Sequence, residues 1–456
     1  MIIQLLTEEG IRNLQESILE LVIKGDGFAD VVAKVKEQTD ALGREICKQI
    51  FESLDESIYQ DPKRKKDWYV ERKAESKKII THLGEIEYKR NYYRSRKGKG
   101  YRHLLDELLG IDVHERIDQG VRADMTEHAA NISYQKAGEL ACDVKISRQT
   151  VMNGVHKLKE LKVESLGAEH KGIETLYIDA DEDHISLQSG KKAMPRLIYI
   201  HEGVKKSGSR NELINPFYFA SLRKNPDALW QEVYEHVEDT YNTDIIKTVY
   251  ISGDGAAWIK KGLEYFPKAK FVLDRYHMNK YVIKATANNR EYRSRIWEAL
   301  NLSDLKALKK VMKELYDETE SERKRKEIRE SFLYFKNNWD GIETYGKERE
   351  SIVGCSAEGH NSHILADRMS SRPKGWSMEG AEKMARLRAF KANGGNVYDF
   401  MKEQKKEKKL YDITTRLLKE TKKKLKQKKT AEIIGNIEVF KIGRITGLYK
   451  ALKELC

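Results

Sequence analysis

Three acidic clusters lie far apart in this chain, and the first two sit at or in apolar segments of strand-like composition. They are Asp179-Ala180-Asp181-Glu182-Asp183-His184, then Gly253-Asp254-Gly255, then Cys355-Ser356-Ala357-Glu358-Gly359-His360. The third opens a polar, helix-compatible stretch. Carboxylates delivered from separate elements of a basic chain point to a divalent-metal site that works on a polyanion. Phosphoryl transfer on nucleic acid is the chemistry that fits.

The segments around the first two clusters alternate in character. Thr175–Leu187, Pro195–His201 and Pro216–Leu222 read as three consecutive strands, and Leu229–Tyr241 as an amphipathic helix. Ile245–Ser252 reads as an apolar strand running to Asp254, Trp258–Tyr265 as a short helix and Ala269–Asp274 as another strand. Three strands, a helix, a strand, a helix and a strand is the order of an RNase H-like α/β core. Charged helical sequence such as Arg290–Leu300 and Leu305–Tyr316 then interrupts the pattern before the third cluster. The expected fold is thus α/β, with an RNase H-like catalytic core over 170–277 and 346–400 and a helical insertion over 278–345.

Upstream, residues 1–76 carry helically spaced apolar positions and are expected to form a helical scaffold. Over 77–125 the pattern becomes strand-like alternation with turns at Gly84 and near Gly98, predicting a small β-ribbon and connecting helices. Its Arg90, Arg94, Arg96 and Lys97 are candidates to lie along a DNA backbone, with Tyr88, Tyr92 and Tyr93 stacking on bases or packing beneath. Residues 126–165 carry a helix-turn-helix signal. Ser133–Leu140 reads as the first helix, Asp143–Ile146 as the turn and Ser147 as the cap of a second. The N-terminal side chains of that second helix, Arg148, Gln149, Thr150 and Asn153, are the candidates for base edges. Residues 401–456 are expected to form basic C-terminal helices.

Along a strand alternate side chains share a face, so Asp179, Asp181 and Asp183 point one way. Their mutual repulsion is relieved by a cation. Asp254 falls at the carboxyl end of its strand, where α/β sheets place their sites, with Gly253 and Gly255 allowing a tight turn around it. Two Mg²⁺ ions about 4 Å apart would activate the attacking oxygen and stabilise the leaving one. Asp181, Asp254 and Glu358 could supply the ligands, with Asp179 and Asp183 as further metal candidates.

Two other metal patterns fail on spacing. Asp179-x-Asp181-x-Asp183 opens like a calcium loop, but His184 stands where the glycine is needed and Gly190 where the final glutamate is needed. Cys355, His360 and His363 lack a fourth zinc ligand at a recognisable spacing. His360 and His363 are candidates to touch phosphate or orient Glu358.

With Lys and Arg outnumbering Asp and Glu by 85 to 72, the net charge is +13, which favours a phosphate-bearing partner. The four cysteines are too scattered for a disulfide framework. No apolar run approaches the about 20 residues of a membrane span, and a cytoplasmic location is expected.

At these motifs the chain resembles the ISLre-two family of bacterial insertion-sequence transposases, a DDE-type group. The resemblance rests on Tyr177–His184, Gly253–Ile259, Leu273-Asp274-Arg275-Tyr276-His277, and Ser356–His360 running on through Arg368–Trp376. Leu104–Gly110 also matches, so the likeness spans most of the chain. It implies that Asp181, Asp254 and Glu358 are the three catalytic carboxylates, with Asp179 and Asp183 still competing for the first place. It implies that Asp274 and His277 flank the site, and that Arg275, Arg368, Arg372 and Lys374 hold phosphates. It further implies Mg²⁺ or Mn²⁺ dependence, and double-stranded DNA as partner, both the element's terminal inverted repeats and the target. Cleavage at the element's ends followed by strand transfer is the implied reaction, in a homodimer or higher assembly on the nucleoid.

Overall fold

The structure, a computed structural model, describes residues 2–25, 27–98, 100–161, 170–208, 210–287, 289–371 and 375–406. The chain divides into two compact units, one of Met1–Ala129, Ser133–Val151 and Val397–Cys456, the other of Ala130–Ile132 and Met152–Asn396.

The first unit begins with helices Ile2–Lys24 and Phe28–Gln60 and the short Pro62–Asp67, where Asp61 caps the N-terminus by accepting from Lys63 N at 3.0 Å. The antiparallel ribbon follows as β1 (Trp68–Thr81) and β2 (Gly84–Ser95), turning at Gly84 with φ +103°. It starts at Trp68, so the helical scaffold ends at Asp67 and not at residue 76. The stretch Glu71–Ser76 concealed this. It is polar apart from Ala74, and the ladder slips register there, with Ala74 at φ +53° donating its N–H to Asn91 Oδ1.

Ile79, Ile86, Tyr88 and Tyr93 form the ribbon's inner face against Ile58, Leu104 and Leu105. The two-residue alternation places Arg90 on that same face as Ile86 and Tyr88, where it is buried and paired with Asp106 at 2.8 Å. Arg90 is therefore a core ion pair and does not meet a DNA backbone. Arg94, Arg96 and Lys97 are exposed. Arg96 lies 3.8 Å over the Tyr69 ring and Lys97 pairs with Asp67.

Two short helices, Tyr134–Leu140 and Arg148–His156, follow. Ser133 caps Tyr134–Leu140 by accepting from Lys136 N, and Ser147 caps Arg148–His156 by accepting from Thr150 N. Gly138 is required by the close approach of Ile146, whose carbonyl oxygen would lie 2.4 Å from a Cβ there. Arg148, Gln149 and Asn153 are exposed, while Thr150 is half-buried with its hydroxyl on Ser147 Oγ.

The second unit is built on a five-stranded mixed sheet. Its strands are β3 (Thr175–Glu182), β4 (Arg196–His201), β5 (Phe217–Ser221), β6 (Thr248–Gly253) and β7 (Ala269–Leu273), in the spatial order β5-β4-β3-β6-β7. β4 runs antiparallel to both β3 and β5, whereas β3, β6 and β7 are parallel. β3 ends at Glu182 rather than continuing to Leu187, because Ile185–Ser186 pairs separately with Lys192–Ala193.

Helix Pro226–Thr240 packs on this sheet through Leu229, Trp230, Val233 and Val237. Helix Met378–Ala392 flanks edge strand β5, where Asn393 exchanges two hydrogen bonds with the backbone of Tyr218 and Glu382 accepts from Leu222 N and Arg223 N. The insertion forms helices Arg275–Thr286, Arg290–Asn301, Leu305–Glu318, Glu322–Asn337 and Trp339–Lys347. Ile296, Leu308, Phe335 and Ile342 share one continuous core with the sheet, so the insertion extends the domain's interior. Helix Val397–Lys406 opens the basic C-terminal region. The remainder of that region, with the candidates Arg372 and Lys374, lies outside the described residues.

Candidate functional site

Asp179 and Asp181 occupy the C-terminal half of β3, with Asp183 just beyond it, and all three are buried, as alternation requires. Each has a different environment. Asp179 Oδ2 accepts from Tyr199 Oη at 2.7 Å and from Ser356 N at 3.3 Å, with His201 Nε2 at 3.7 Å. This carboxylate anchors the loop that delivers Glu358. Asp183 Oδ1 accepts from Ser370 Oγ at 2.9 Å and from His184 N at 2.8 Å. Among the described residues, Asp181 is the one of the three that joins a group of three such ligand types. One donor atom each of Asp181, His277 and Glu358 lies within 4.8 Å of the others.

Glu358 arrives on helix Ala357–Asn361, one turn before Asn361, whose Nδ2 donates to Asp181 Oδ2 at 3.0 Å. His277 arrives on the first turn of helix Arg275–Thr286, directly after β7. Its Nδ1 is 2.9 Å from Oδ2 of Asp274, and Asp274 Oδ1 caps the helix by accepting from Tyr276 N at 3.0 Å. Sequence reasoning placed His277 beside the site, and in the structure one of its ring nitrogens lies within 4.8 Å of a carboxylate oxygen of Asp181 and of Glu358. Asn361, Tyr199 and Ser356 were not anticipated. Only the i, i+3 spacing of Asn361 from Glu358 carried a signal.

Asp254 is half-buried at the end of β6, outside the Asp181–His277–Glu358 group. Its Oδ1 accepts from Ala256 N at 2.8 Å, and its carbonyl accepts from Tyr334 Oη. Its charge still favours the protonated form of His277. The flanking glycines are required by contact and conformation. A Cβ on Gly253 would lie 2.8 Å from Ala180 O, and Gly255 has φ +90° with Asn338 Oδ1 2.2 Å from the place of its Cβ. Replacing Gly255 by Ala is expected to destabilise the fold by about 1–3 kcal/mol, because a non-glycine residue is strained at that φ and must also displace Asn338. A urea midpoint equal to wild type would refute that assignment.

Several basic candidates are committed elsewhere. Arg368 is buried with its guanidinium over Trp376, so it does not present itself to a phosphate. Arg275 is half-buried between the rings of Trp297 and Tyr345, 4.8 and 4.9 Å from their centroids, and donates to Asn301 Oδ1. His360 Nδ1 meets Tyr218 Oη at 2.9 Å and its ring packs on Tyr199, and burial pushes its pKa down. It therefore braces the wall behind Glu358. The exposed His363 gives its carbonyl to Arg388.

Burial is the main reason the Asp181 carboxyl is pushed up to about 6, and the Glu358 carboxylate adds to it against the opposing effects of Glu182 N, His277 and Asn361. For His277, burial opposes protonation, but the hydrogen bond to Asp274 and the charges of Asp274, Asp181 and Asp254 outweigh it and raise the pKa. The Asp181 shift has a thermodynamic consequence. Its folded pKa exceeds the unfolded value, so protonation stabilises the native state fully below about pH 4, and that contribution is lost as pH rises through about 6. In chelator, Asp181→Asn is expected to be about 2–3 kcal/mol more stable than wild type at pH 7 and nearly equal to it at pH 4. Denaturant midpoints across that range measure the difference, and parallel curves would contradict it.

The donor set fits a divalent cation. Two carboxylates and an imidazole each bring one ligand atom within 4.8 Å of the others, burial pushes the Asp181 carboxyl up, and Asn361, whose Nδ2 donates to Asp181, has a buried Oδ1 with no hydrogen-bond partner. Among the described residues no helix is long and apolar enough to cross a membrane.

Fold and site together define a mixed α/β protein in which a buried aspartate on the central strand, a half-buried imidazole and an exposed glutamate lie close together. The chain belongs to the family described as "Uncharacterised protein family (UPF0236)", whose model matches residues 22–408. A UPF0236 protein of Caldanaerobacter subterraneus subsp. tengcongensis is 43% identical over 449 residues, covering 97% of this chain and 96% of the relative. A second from that organism, its name joining eleven loci, is 43% identical over 446 residues, covering 97% and 95%. A UPF0236 protein in the vanSb 3′ region of Streptococcus gallolyticus is 25% identical over 365 residues, covering 76% of this chain and 79% of its own. The family is thus present in many copies within one genome, a pattern typical of proteins associated with mobile elements.

Proposed function

We propose that this protein is a DDE-type DNA transposase of a bacterial insertion sequence, with an RNase H-like catalytic core. The observation that carries the reading is the meeting of Asp181 on the central strand with Glu358 on a helix 177 residues later, across a large helical insertion. The sheet order, with β4 reversed against parallel β3, β6 and β7, agrees with that core by fold-level analogy. Multiple copies in one genome support a mobile-element role.

In this reading Asp181 and Glu358 would hold a Mg²⁺ or Mn²⁺ ion, with Asp254 adjacent for a second. A divalent cation held there would supply Lewis-acid polarisation of the scissile phosphate and a lowered pKa at the attacking hydroxyl or water. The protein's own groups do the positioning. Asp179, with Tyr199 and Ser356, holds Glu358 against β3; Asn361 orients Asp181; Asp274 orients His277. Arg148, Gln149 and Asn153 are offered to base edges of the terminal inverted repeats, and Arg94, Arg96 and Lys97 to phosphates. Two ends must be joined, so a homodimer or larger assembly on DNA is proposed.

The test is a plasmid carrying the gene with its native flanks, incubated with purified protein and Mg²⁺ or Mn²⁺. Nicks mapping to the element boundary are expected. Cleavage that ignores the boundary would indicate a nuclease on the same fold, and boundary binding without cleavage a DNA-binding relic.

A further inference from the structure

We infer that His277 is itself a ligand of the divalent cation, held by Asp274, and that this imidazole makes the site prefer a first-row transition ion such as Mn²⁺ over Mg²⁺. The inference rests on the metal-dependent reading above and deepens it, because a site made only of carboxylates would carry no such preference.

The geometry leads there in three steps. First, His277 is oriented from behind. Its Nδ1 faces Asp274 Oδ2 at 2.9 Å, which leaves Nε2 as the ring atom for a metal. A carboxylate behind a ligating imidazole fixes the tautomer and raises the basicity of the other nitrogen. Second, Asp274 has little freedom of its own. It is 4% exposed, its Oδ1 caps the helix through Tyr276 N, and its N–H donates to Gly253 O at 2.9 Å. Both anchors are backbone, so the oxygen facing His277 is fixed to the ends of β6 and β7. Third, the carboxylate expected in this place is engaged. Asp254 gives Oδ1 to Ala256 N and stands outside the group that Asp181, His277 and Glu358 form.

An independent observation points to a ligand at the same spot. Asn361 is 7% exposed and lies against Asp181 Oδ2 through its Nδ2, while its Oδ1 has no hydrogen-bond partner. A buried amide oxygen without a donor is costly, and a cation or its bound water would satisfy it. The chemistry of the set then sets the preference. Mg²⁺ takes oxygen donors and keeps its waters, whereas imidazole nitrogen suits first-row transition ions.

The test uses the full chain and Mn²⁺ as probe. Bound ion is followed by the loss of the free Mn²⁺ electron-spin-resonance signal, and its ligands by spin-echo modulation. We expect ¹⁴N modulation from an imidazole, replaced by the ¹⁵N pattern when histidines are ¹⁵N-labelled, a readout that needs no substitution. His277→Gln should abolish the modulation and weaken Mn²⁺ binding, and should shrink the excess of Mg²⁺ needed to displace Mn²⁺. Asp274→Asn should keep the modulation but weaken Mn²⁺ binding by about 10–100-fold. Mn²⁺ bound without nitrogen modulation, or with modulation that survives His277→Gln, would overturn the inference while leaving the metal-dependent reading intact. A wild-type chain that binds no Mn²⁺, with or without DNA, would overturn both.

Discussion

Asp181→Asn is expected to lower DNA cleavage by about a thousandfold or more, since a bound cation contributes several kcal/mol of transition-state charge stabilisation and each 1.36 kcal/mol is tenfold in rate. Asp181 is the residue to change because it is the member of the first acidic cluster that meets both Glu358 and His277. The same substitution relieves a buried, ionisation-resistant carboxyl, so the variant should melt no earlier than wild type at pH 7 in chelator. Activity and stability then move in opposite directions, and a folding defect cannot mimic that result. Asp183→Asn is the contrast, as Asp183 bonds to Ser370 and stands outside the cluster. A retained cleavage rate in Asp181→Asn alongside a loss in Asp183→Asn would move the first acid to Asp183.

Trp230→Ala is expected to cost about 3–5 kcal/mol of folding stability, the range for removing a large aromatic side chain from a packed core. Trp230 is fully buried on helix Pro226–Thr240 and belongs to the core behind the sheet. Its ring lies against Gly262, where a Cβ would come within 2.6 Å, and its indole N–H donates to Trp258 O at 2.8 Å. Truncation therefore leaves both a cavity and an unpaired carbonyl in the segment that follows Asp254. A urea-unfolding midpoint reports the loss, and a change under about 1 kcal/mol would contradict this packing.

Much of the second unit was legible because its signals are local. Apolar runs between polar breaks located β4, β5, β6 and β7 to within three residues and the start of β3, and period-two alternation put Asp179, Asp181 and Asp183 on one face. Ser147 marked its helix start through capping, which depends only on neighbours three residues away. What was not legible depends on tertiary partners. A charged side chain reads as solvent-facing, yet Arg90 is inward because Asp106, sixteen residues on, supplies its counter-charge. Arg368 is likewise taken up by Trp376. The choice among three aspartates needed Tyr199, Ser356 and Ser370 to claim Asp179 and Asp183. The inclusion of His277 depended on where helix Arg275–Thr286 starts relative to β3, which no sequence spacing conveys.

The central claim is that the Asp181–Glu358 pair performs DNA transesterification, and the most direct measurement is strand transfer from precut ends. Duplexes ending at the element boundary with a free 3′-hydroxyl are incubated with a supercoiled target plasmid, Mg²⁺ or Mn²⁺, and either wild type or Glu358→Gln. The account predicts covalent joining of the boundary strand to the plasmid by wild type, and none by the variant. Plasmid hydrolysis without joining, or joining undiminished in Glu358→Gln, would contradict it.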